Sequence, residues 1–109
     1  MRDNLSSGAL TETSLLILLS LYEELHGYGV KLHIENLTNN RVKLGMGTLY
    51  GALNNMLEKK WIKESSKEGR RINYIITDVG KEQVEREQIR LTKLLDLVET
   101  IKGDYHEKI

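Results

Sequence analysis

The feature of this 109-residue chain that most limits its fold is a change in the spacing of its apolar residues. Up to Lys60 the apolar residues recur every three or four positions, as on the buried face of an α-helix. From Trp61 to Glu64, and again from Ile72 to Thr77, they alternate with polar residues, as in a half-buried strand. After Asp78 the helical spacing returns. This order predicts helices, then one β-hairpin, then a final helix.

Two helices are predicted in the first part of the chain. Thr11 can cap a first helix that runs to about Leu25, and because this helix is apolar on most sides it must be largely buried. Gly27 then provides a stop, and a second, shorter helix covers about residues 28–36. The second helix is expected to direct three apolar residues inward: Val30, Ile34 and Leu37.

The third predicted helix starts near Thr48, which can cap it, ends near Lys60 and has two unlike faces. One face is apolar and consists of Leu49, Leu53, Met56 and Leu57. The opposite face is centred on Gly51, and the residues around it are Thr48, Asn54 and Asn55. A glycine here costs the helix about 1 kcal/mol, so its use is to let another surface approach closely. The two asparagines on this face can read adenine edges in DNA. The alternative interpretation is that the face is exposed to solvent and that the helix tolerates the glycine.

The hairpin and the final helix complete the predicted order of elements. Residues 65–70 form a polar, basic hairpin tip, and Thr77 with Asp78 caps the helix that follows. Along this helix the apolar residues follow a heptad pattern, interrupted by Glu87 and continued by Tyr105. We expect this seam to bind a second helix through six residues: Val84, Leu91, Leu94, Leu95, Val98 and Ile101.

Charge is unevenly distributed in a chain whose formal net charge is zero. Residues 41–77 carry eight basic and three acidic side chains, and the segments on either side are both net acidic. The positive zone therefore coincides with the third helix and the hairpin, as expected if the partner is a phosphate backbone. The alternative is a chance cluster of solvated lysines.

Several classes of protein are excluded by what the sequence lacks. The longest apolar run, Leu15 to Leu19, is too short to span a membrane, and no basic segment precedes it as in a signal peptide, so we expect a cytoplasmic protein. There is no cysteine, and the three histidines lack a carboxylate at the spacing of a zinc site, so no metal or other cofactor is expected. No catalytic constellation is found either, which predicts that the protein is not an enzyme.

Three helices followed by a basic-tipped hairpin describe a winged helix-turn-helix, in which the third helix enters the DNA major groove and the wing contacts the backbone. The predicted fold is therefore mainly α with a small β-hairpin. We expect residues 1–77 to form the DNA-binding domain and residues 78–109 to form a dimerisation helix, within one compact domain.

The chain resembles the PadR-type transcriptional regulators over nearly its whole length. The resemblance is carried by His26-Gly27-Tyr28-Gly29, by the run from Gly47 to Leu53, by Arg71 and Tyr74, and by the run from Ile76 to Lys81. It implies a dimeric DNA-binding repressor of the compact subclass that dimerises through its N- and C-terminal helices. The chain departs from the family at Lys60, where a glycine is usual, and at Leu57, where an acidic residue is common.

We therefore predict a homodimeric, sequence-specific repressor that binds a palindromic operator in double-stranded DNA. The residues expected to face bases are Thr48, Gly51, Asn54 and Asn55, and those expected to hold phosphates are Tyr28, Tyr50, Lys67, Arg70 and Arg71. The alternatives are a winged helix that docks to protein and a carrier that binds a ligand at a dimer interface. Tyr50 could instead be purely structural, and Trp61 is more typical of a core residue than of a ligand-stacking one. The sequence leaves any small-molecule effector open.

Overall fold

A computed structural model describes residues 8–108 of the chain, with side chains through residue 104. The earlier residues and the side chain of Tyr105 lie outside the described part. The elements in chain order are helix α1 (Glu12–Ser20), strand β1 (Leu25–His26), helix α2 (Gly27–Leu37), helix α3 (Met46–Glu58), strands β2 (Ile62–Glu68) and β3 (Arg71–Ile76), and helix α4 (Asp78–Lys108). This arrangement confirms the predicted winged helix-turn-helix followed by a long final helix.

The sheet has three antiparallel strands, with β3 between β1 and β2. Strand β1 was not predicted, because two residues are too few to show an alternating pattern; it places Leu25 opposite Tyr74. Strand β2 runs on to Glu68, through the residues expected to form the hairpin tip, with a bulge between Glu64 and Ser66. The turn itself is therefore only Gly69-Arg70, and Gly69 adopts a positive φ of 64°.

The hydrophobic core lies where the first three helices, the wing and the start of α4 meet. Its buried apolar residues are Ile17, Leu18, Leu21, Val30, Ile34, Leu49, Leu53, Met56, Ile62, Tyr74, Ile76 and Val84. The inward positions predicted for α3 are thus confirmed for Leu49, Leu53 and Met56, whereas Leu57 is half-buried. The prediction that Leu37 points inward is wrong: it is the last residue of α2 and is 56 % exposed.

The ends of α1 and α2 differ in part from the predictions. Thr11 caps α1 as expected, since its hydroxyl oxygen accepts a hydrogen bond from the backbone N–H of Ser14 at 3.0 Å. The helix ends at Ser20 rather than near Leu25, because the chain then turns to supply β1. Gly27 does not stop a helix; it is the first residue of α2.

Helix α3 begins and ends differently from the prediction. Gly45 is its N-cap and Thr48 lies inside the first turn, so the expected capping role of Thr48 is wrong. The helix ends at Glu58, and Lys60 then adopts a left-handed conformation with φ of 63°. Lysine therefore accepts the conformation that a glycine would adopt more readily at this position.

One threonine joins the wing to α4. The hydroxyl oxygen of Thr77 accepts a hydrogen bond from the N–H of Gly80 at 3.1 Å, which confirms its predicted capping role. The same hydroxyl donates toward the carbonyl oxygens of Lys60, at 2.6 Å, and Trp61, at 2.9 Å. A Cβ on Gly80 would lie 2.1 Å from the carbonyl oxygen of Trp61, so only glycine allows α4 to approach this residue, directly before β2, so closely.

Candidate nucleic-acid interface

Helix α3 presents the residues predicted to face bases on its exposed side. Its buried side packs on the core, and the exposed side carries Thr48, Gly51, Asn54 and Asn55. These side chains are small and uncharged, and two of them are amides that both donate and accept hydrogen bonds. The face can therefore lie close to a partner and form paired hydrogen bonds with it.

Gly51 has no packing role within the described chain. A Cβ built on it would have no atom within 4 Å, other than those of its own helix and chain neighbours. Gly80 is the opposite case, since there a Cβ would collide with the backbone. The space that Gly51 leaves open lies outside the molecule, so any benefit from the glycine comes from a partner.

Tyr50 is held in place by the start of α2. A Cβ on Gly27 would lie 2.5 Å from the hydroxyl oxygen of Tyr50 and 2.7 Å from its Cζ atom. The ring therefore covers Gly27 and fills the place that any larger residue would need. Tyr50 remains 42 % exposed, so a structural role in joining α3 to α2 and a contact with an outside partner are both open to it.

A cleft of about 450 Å³ separates α3 from the wing, and it gathers three of the residues predicted to hold phosphate. Its lining comprises His26, Tyr50, Arg70, Arg71, Ile72 and Tyr74. Tyr28 and Lys67 do not line it: Tyr28 is exposed in the first turn of α2, and Lys67 is exposed on β2. His26 was not predicted as a site residue, although it belongs to the motif that carries the family resemblance.

The basic side chains of the wing have no ion-pair partner among the described residues. Three ion pairs form within this part of the chain, and they join Lys31 to Glu35, Arg41 to Glu12 and Arg90 to Glu87. None of them uses Lys67, Arg70 or Arg71. Burial raises the pKa of the Tyr74 hydroxyl at the floor of the cleft, and the nearby Tyr50 and Glu64 raise it further. Tyr74 therefore adds no negative charge to a cleft that Arg70 and Arg71 make positive.

A hydrogen-bond network fixes the wing to the rest of the domain. The carboxylate of Glu24 accepts hydrogen bonds from the hydroxyls of Ser65, at 2.5 Å, and Ser66, at 2.6 Å, and these bonds lower the Glu24 pKa below its ordinary value. The side-chain amide of the buried Asn73 donates to the Ser66 hydroxyl oxygen at 3.0 Å. Sequence reasoning missed this network, because its members are far apart in the chain.

Helix α4 exposes most of the predicted seam. Val84 differs from the other members, because it is buried in the core of its own chain at 9 % exposure. The other five members are between 43 and 64 % exposed: Leu91, Leu94, Leu95, Val98 and Ile101. A groove of about 330 Å³ between α1 and α4 continues this apolar surface through Leu15 and Leu19.

Glu87 interrupts the seam but does not stand alone. Its carboxylate is 4 % exposed, pairs with Arg90 and accepts a hydrogen bond from the backbone N–H of Leu10 at 3.2 Å. The hydrogen bond from Arg90 is the main reason why the pKa of Glu87 is lowered, against the effect of burial. A charge in the apolar seam is thus compensated within the chain.

Three further observations concern Trp61, metal binding and membrane spans. Trp61 is half-buried against the core, and the Lys59 ammonium lies 4.7 Å from its ring centroid. Among the described residues there is no group of three or more His, Cys, Asp or Glu side chains able to hold a metal ion. In the same part of the chain, no helix combines the length and the apolar character needed to cross a lipid bilayer.

The chain is similar to several known proteins in sequence or in fold. The chain is 33% identical over 84 residues to an uncharacterized 37.1 kDa protein in transposon TN4556 of Streptomyces fradiae; this covers 76% of the chain but only 24% of that relative's length. The fold of the present chain is similar to that of a PadR family transcription regulator from Clostridium difficile, with a TM-score of 0.71, 22% identity and coverage of 85% of this chain and 100% of the other. It is also similar to Bacillus subtilis PadR in complex with operator DNA, with a TM-score of 0.63, 20% identity and coverage of 72% of this chain and 48% of the other.

The sequence profile of the PadR-like family of transcriptional regulators matches residues 15–86. This range begins in α1 and includes the whole helix-turn-helix, the wing and the start of α4. The match covers well over half of the chain, and the chain accordingly belongs to the PadR-like family of transcriptional regulators.

Proposed function

We propose that the protein is a homodimeric transcriptional repressor that binds a palindromic operator, with α3 in the major groove and the wing on the flanking backbone. One observation carries this proposal: the outer face of α3, which is uncharged from Thr48 to Asn55 and ends in Glu58, adjoins a cleft that contains arginines without partners among the described residues. A groove reader needs both features together, since base contacts give specificity and phosphate contacts give position.

The base-reading role falls to Thr48, Gly51, Asn54 and Asn55, which share the exposed side of α3. An asparagine amide can form two hydrogen bonds with an adenine edge, whereas a threonine can bond to several bases. Gly51 contributes by absence of a side chain, because it allows the helix axis to lie nearer to the floor of the groove.

The phosphate-holding role falls to the cleft and its surroundings. Tyr50, Arg70 and Arg71 line the cleft, and the start of α2, where Tyr28 lies, is directly beneath Tyr50. A helix N-terminus favours an anion, so the arrangement suits a DNA phosphate. Lys67 lies on β2 outside the cleft and would contact the DNA backbone beyond it.

Dimerisation is assigned to α4. The five exposed members of its seam form an apolar surface that water solvates poorly, and a second copy of the same helix can cover it. Two-fold symmetry then requires an operator with two inverted half-sites. In this scheme residues 1–77 bind DNA and residues 78–109 join the two copies. Repression needs only that the dimer occupies its operator, and no catalytic step is involved.

The test is selection of bound duplexes from random DNA by the full chain. We expect a palindromic consensus, because the dimer presents two symmetrical copies of α3. With three or four phosphate contacts in each subunit, a plot of log affinity against log salt should have a slope on the order of −5 to −7. If the protein bound no duplex, or bound DNA with an affinity that does not depend on salt, the result would contradict the proposal and favour a protein-docking module.

A further inference from the structure

His26 occupies an unusual position between two elements. It ends β1, where it lies opposite Asn73, and it is also the N-cap residue of α2. Its side chain makes no capping hydrogen bond to the helix. A Cβ on Gly29 would lie 3.4 Å from both the Nδ1 and the Cε1 atoms of the imidazole, so the ring lies along the first turn of α2. The ring is therefore placed at the helix start without a role in capping it.

The imidazole forms part of the wall of the cleft between α3 and the wing. The charged or titratable groups that share this cleft are Tyr50 from α3 and Arg70, Arg71 and Tyr74 from the wing, and Glu64 on β2 lies near Tyr74. His26 is half-buried. Within residues 8–104, the one buried side-chain nitrogen or oxygen without a hydrogen-bond partner is Nδ1 of His33, so neither ring nitrogen of His26 is both buried and unsatisfied.

We infer that His26 is a further phosphate ligand of this protein, which binds the same DNA phosphate as Arg71 and makes DNA binding depend on pH. The inference rests on the DNA-binding function proposed above. An imidazolium donates strong, charge-assisted hydrogen bonds to phosphate oxygens, and the helix start beside it adds backbone N–H groups that favour the same anion.

The consequence is a link between protonation and binding. Histidine is the side chain that commonly changes charge between about pH 5 and 8. A phosphate beside the ring favours the charged form, so DNA and a proton reinforce each other's binding. A neutral imidazole leaves one contact fewer to replace counterions. The salt dependence of DNA binding should therefore be steeper at a pH where His26 is charged than at a pH where it is neutral.

The experiment measures affinity for a selected duplex and for a random duplex of the same length, at about pH 6 and about pH 8, over a range of salt. For the natural sequence we expect tighter binding at the lower pH and a salt slope that is steeper by about 0.9 for each subunit. His26→Gln should remove both differences. His33→Gln is the matched control, because His33 lies on α2 outside the cleft, and it should behave like the natural sequence.

A second variant and a second measurement keep the inference open to refutation if His26→Gln folds poorly. His26→Lys carries a permanent charge and should give the steep slope at both pH values. Calorimetry of the natural protein, in buffers with different heats of ionisation, should show net proton uptake when DNA binds.

The possible failures can be distinguished. A natural protein that binds DNA without proton uptake, or a pH response that survives in His26→Gln, would overturn the inference and leave the DNA-binding function standing. A protein that binds neither duplex at any pH would overturn the proposed function, and this inference with it.

Discussion

Helix α3 buries one face in the core and leaves the opposite face bare, whereas α4 packs on the core only near its start and leaves the continuation of that same face bare. The two bare faces are chemically opposite. That of α3 is small, polar and uncharged from Thr48 to Asn55, with Gly51 at its centre, and Glu58 follows it in the last turn. That of α4 is a stripe of leucine, valine and isoleucine that extends to Ile101. Each is costly in the free chain: the first weakens the helix and the second exposes apolar surface.

The difference indicates two kinds of partner. A surface with base edges can satisfy the amides of α3, and a hydrocarbon surface can cover the stripe of α4. Exposure alone therefore says little about function, whereas the chemistry of an exposed face says what can cover it. A change confined to one face should therefore abolish binding of that face's own partner and leave the other partner bound.

The largest effect is expected from charges placed on the bare face of α4. Leu94→Glu together with Val98→Glu would remove four apolar side chains from the proposed symmetrical interface and add four like charges. Because burial of one such side chain is worth about 1.5–3 kcal/mol, we expect the dimer dissociation constant to rise at least about a thousandfold. Sedimentation velocity measures the change.

Ile89→Glu is the control for this pair. Ile89 is 55 % exposed on the same helix, but it lies about 140° around the axis from Leu94. It should leave the dimer intact. Equal dissociation by Ile89→Glu and by the double variant would show that α4 does not associate through the predicted seam.

The second prediction separates base contacts from backbone contacts. Asn54→Ala should cost about 1–3 kcal/mol on the selected site and relax specificity at one position in each half-site, with little change in nonspecific binding. Arg71→Ala should weaken binding to all duplexes alike and reduce the salt slope by about 1 for each subunit, since it removes a phosphate contact. Binding assays on the selected duplex and on single-base variants of it measure both. The opposite result would reverse the roles given to α3 and the wing.

The third prediction concerns the glycine at the centre of the bare face of α3. Gly51→Ala adds a methyl group in open space, so we expect it to stabilise the free protein by up to about 1 kcal/mol while it weakens DNA binding. Gly103→Ala, which also adds a methyl group in open space but on α4, should leave DNA affinity unchanged. Thermal unfolding and DNA titrations of the two variants test this; unchanged DNA affinity in Gly51→Ala would mean that nothing approaches α3 closely at this point.

The smallest effect is expected from loss of the hydrogen bonds that Glu24 accepts from Ser65 and Ser66 of the wing. Because the folded-state pKa of Glu24 is lowered from 4.5, its stabilising contribution is complete above that value and is lost as pH falls through the folded-state pKa. Glu24→Gln should therefore be slightly less stable than the natural protein near neutral pH, and the two should converge in acid. Unfolding curves over this pH range measure the difference, and a constant difference at every pH would contradict the prediction.

The spacing of apolar residues was sufficient to predict the order of the large elements. Helical periodicity before Lys60, alternation in the wing and a heptad pattern after Asp78 all correspond to observed elements. The bare face of α3 could also be predicted, because the identity of its buried residues fixes which residues lie opposite them on a helix.

Other features depend on contacts that sequence spacing does not record. Val84 matches the heptad of the seam, yet it is buried by its own core, because α4 stays against the folded body as far as Glu87 and only residues 91–104 are all exposed. The bonds from Glu24 to Ser65 and Ser66 join residues about forty positions apart. The cleft that brings His26 to Arg71 exists only because β1 pairs with β3, and β1 is too short to be predicted.

At Thr77 the wing is joined directly to α4, so in the proposed dimer the seam and the wing are held at a fixed angle. Because the wing continues into α4 without a linker, insertion of one residue between Gly80 and Leu91 would rotate the dimer seam by about 100° relative to the wing. In the proposed dimer the two copies of α3 would then no longer face the same side of a duplex whose grooves repeat about every 34–36 Å. Insertions and deletions in this segment should thus be tolerated mainly in whole helical turns, and changes in operator spacing mainly in whole turns of DNA.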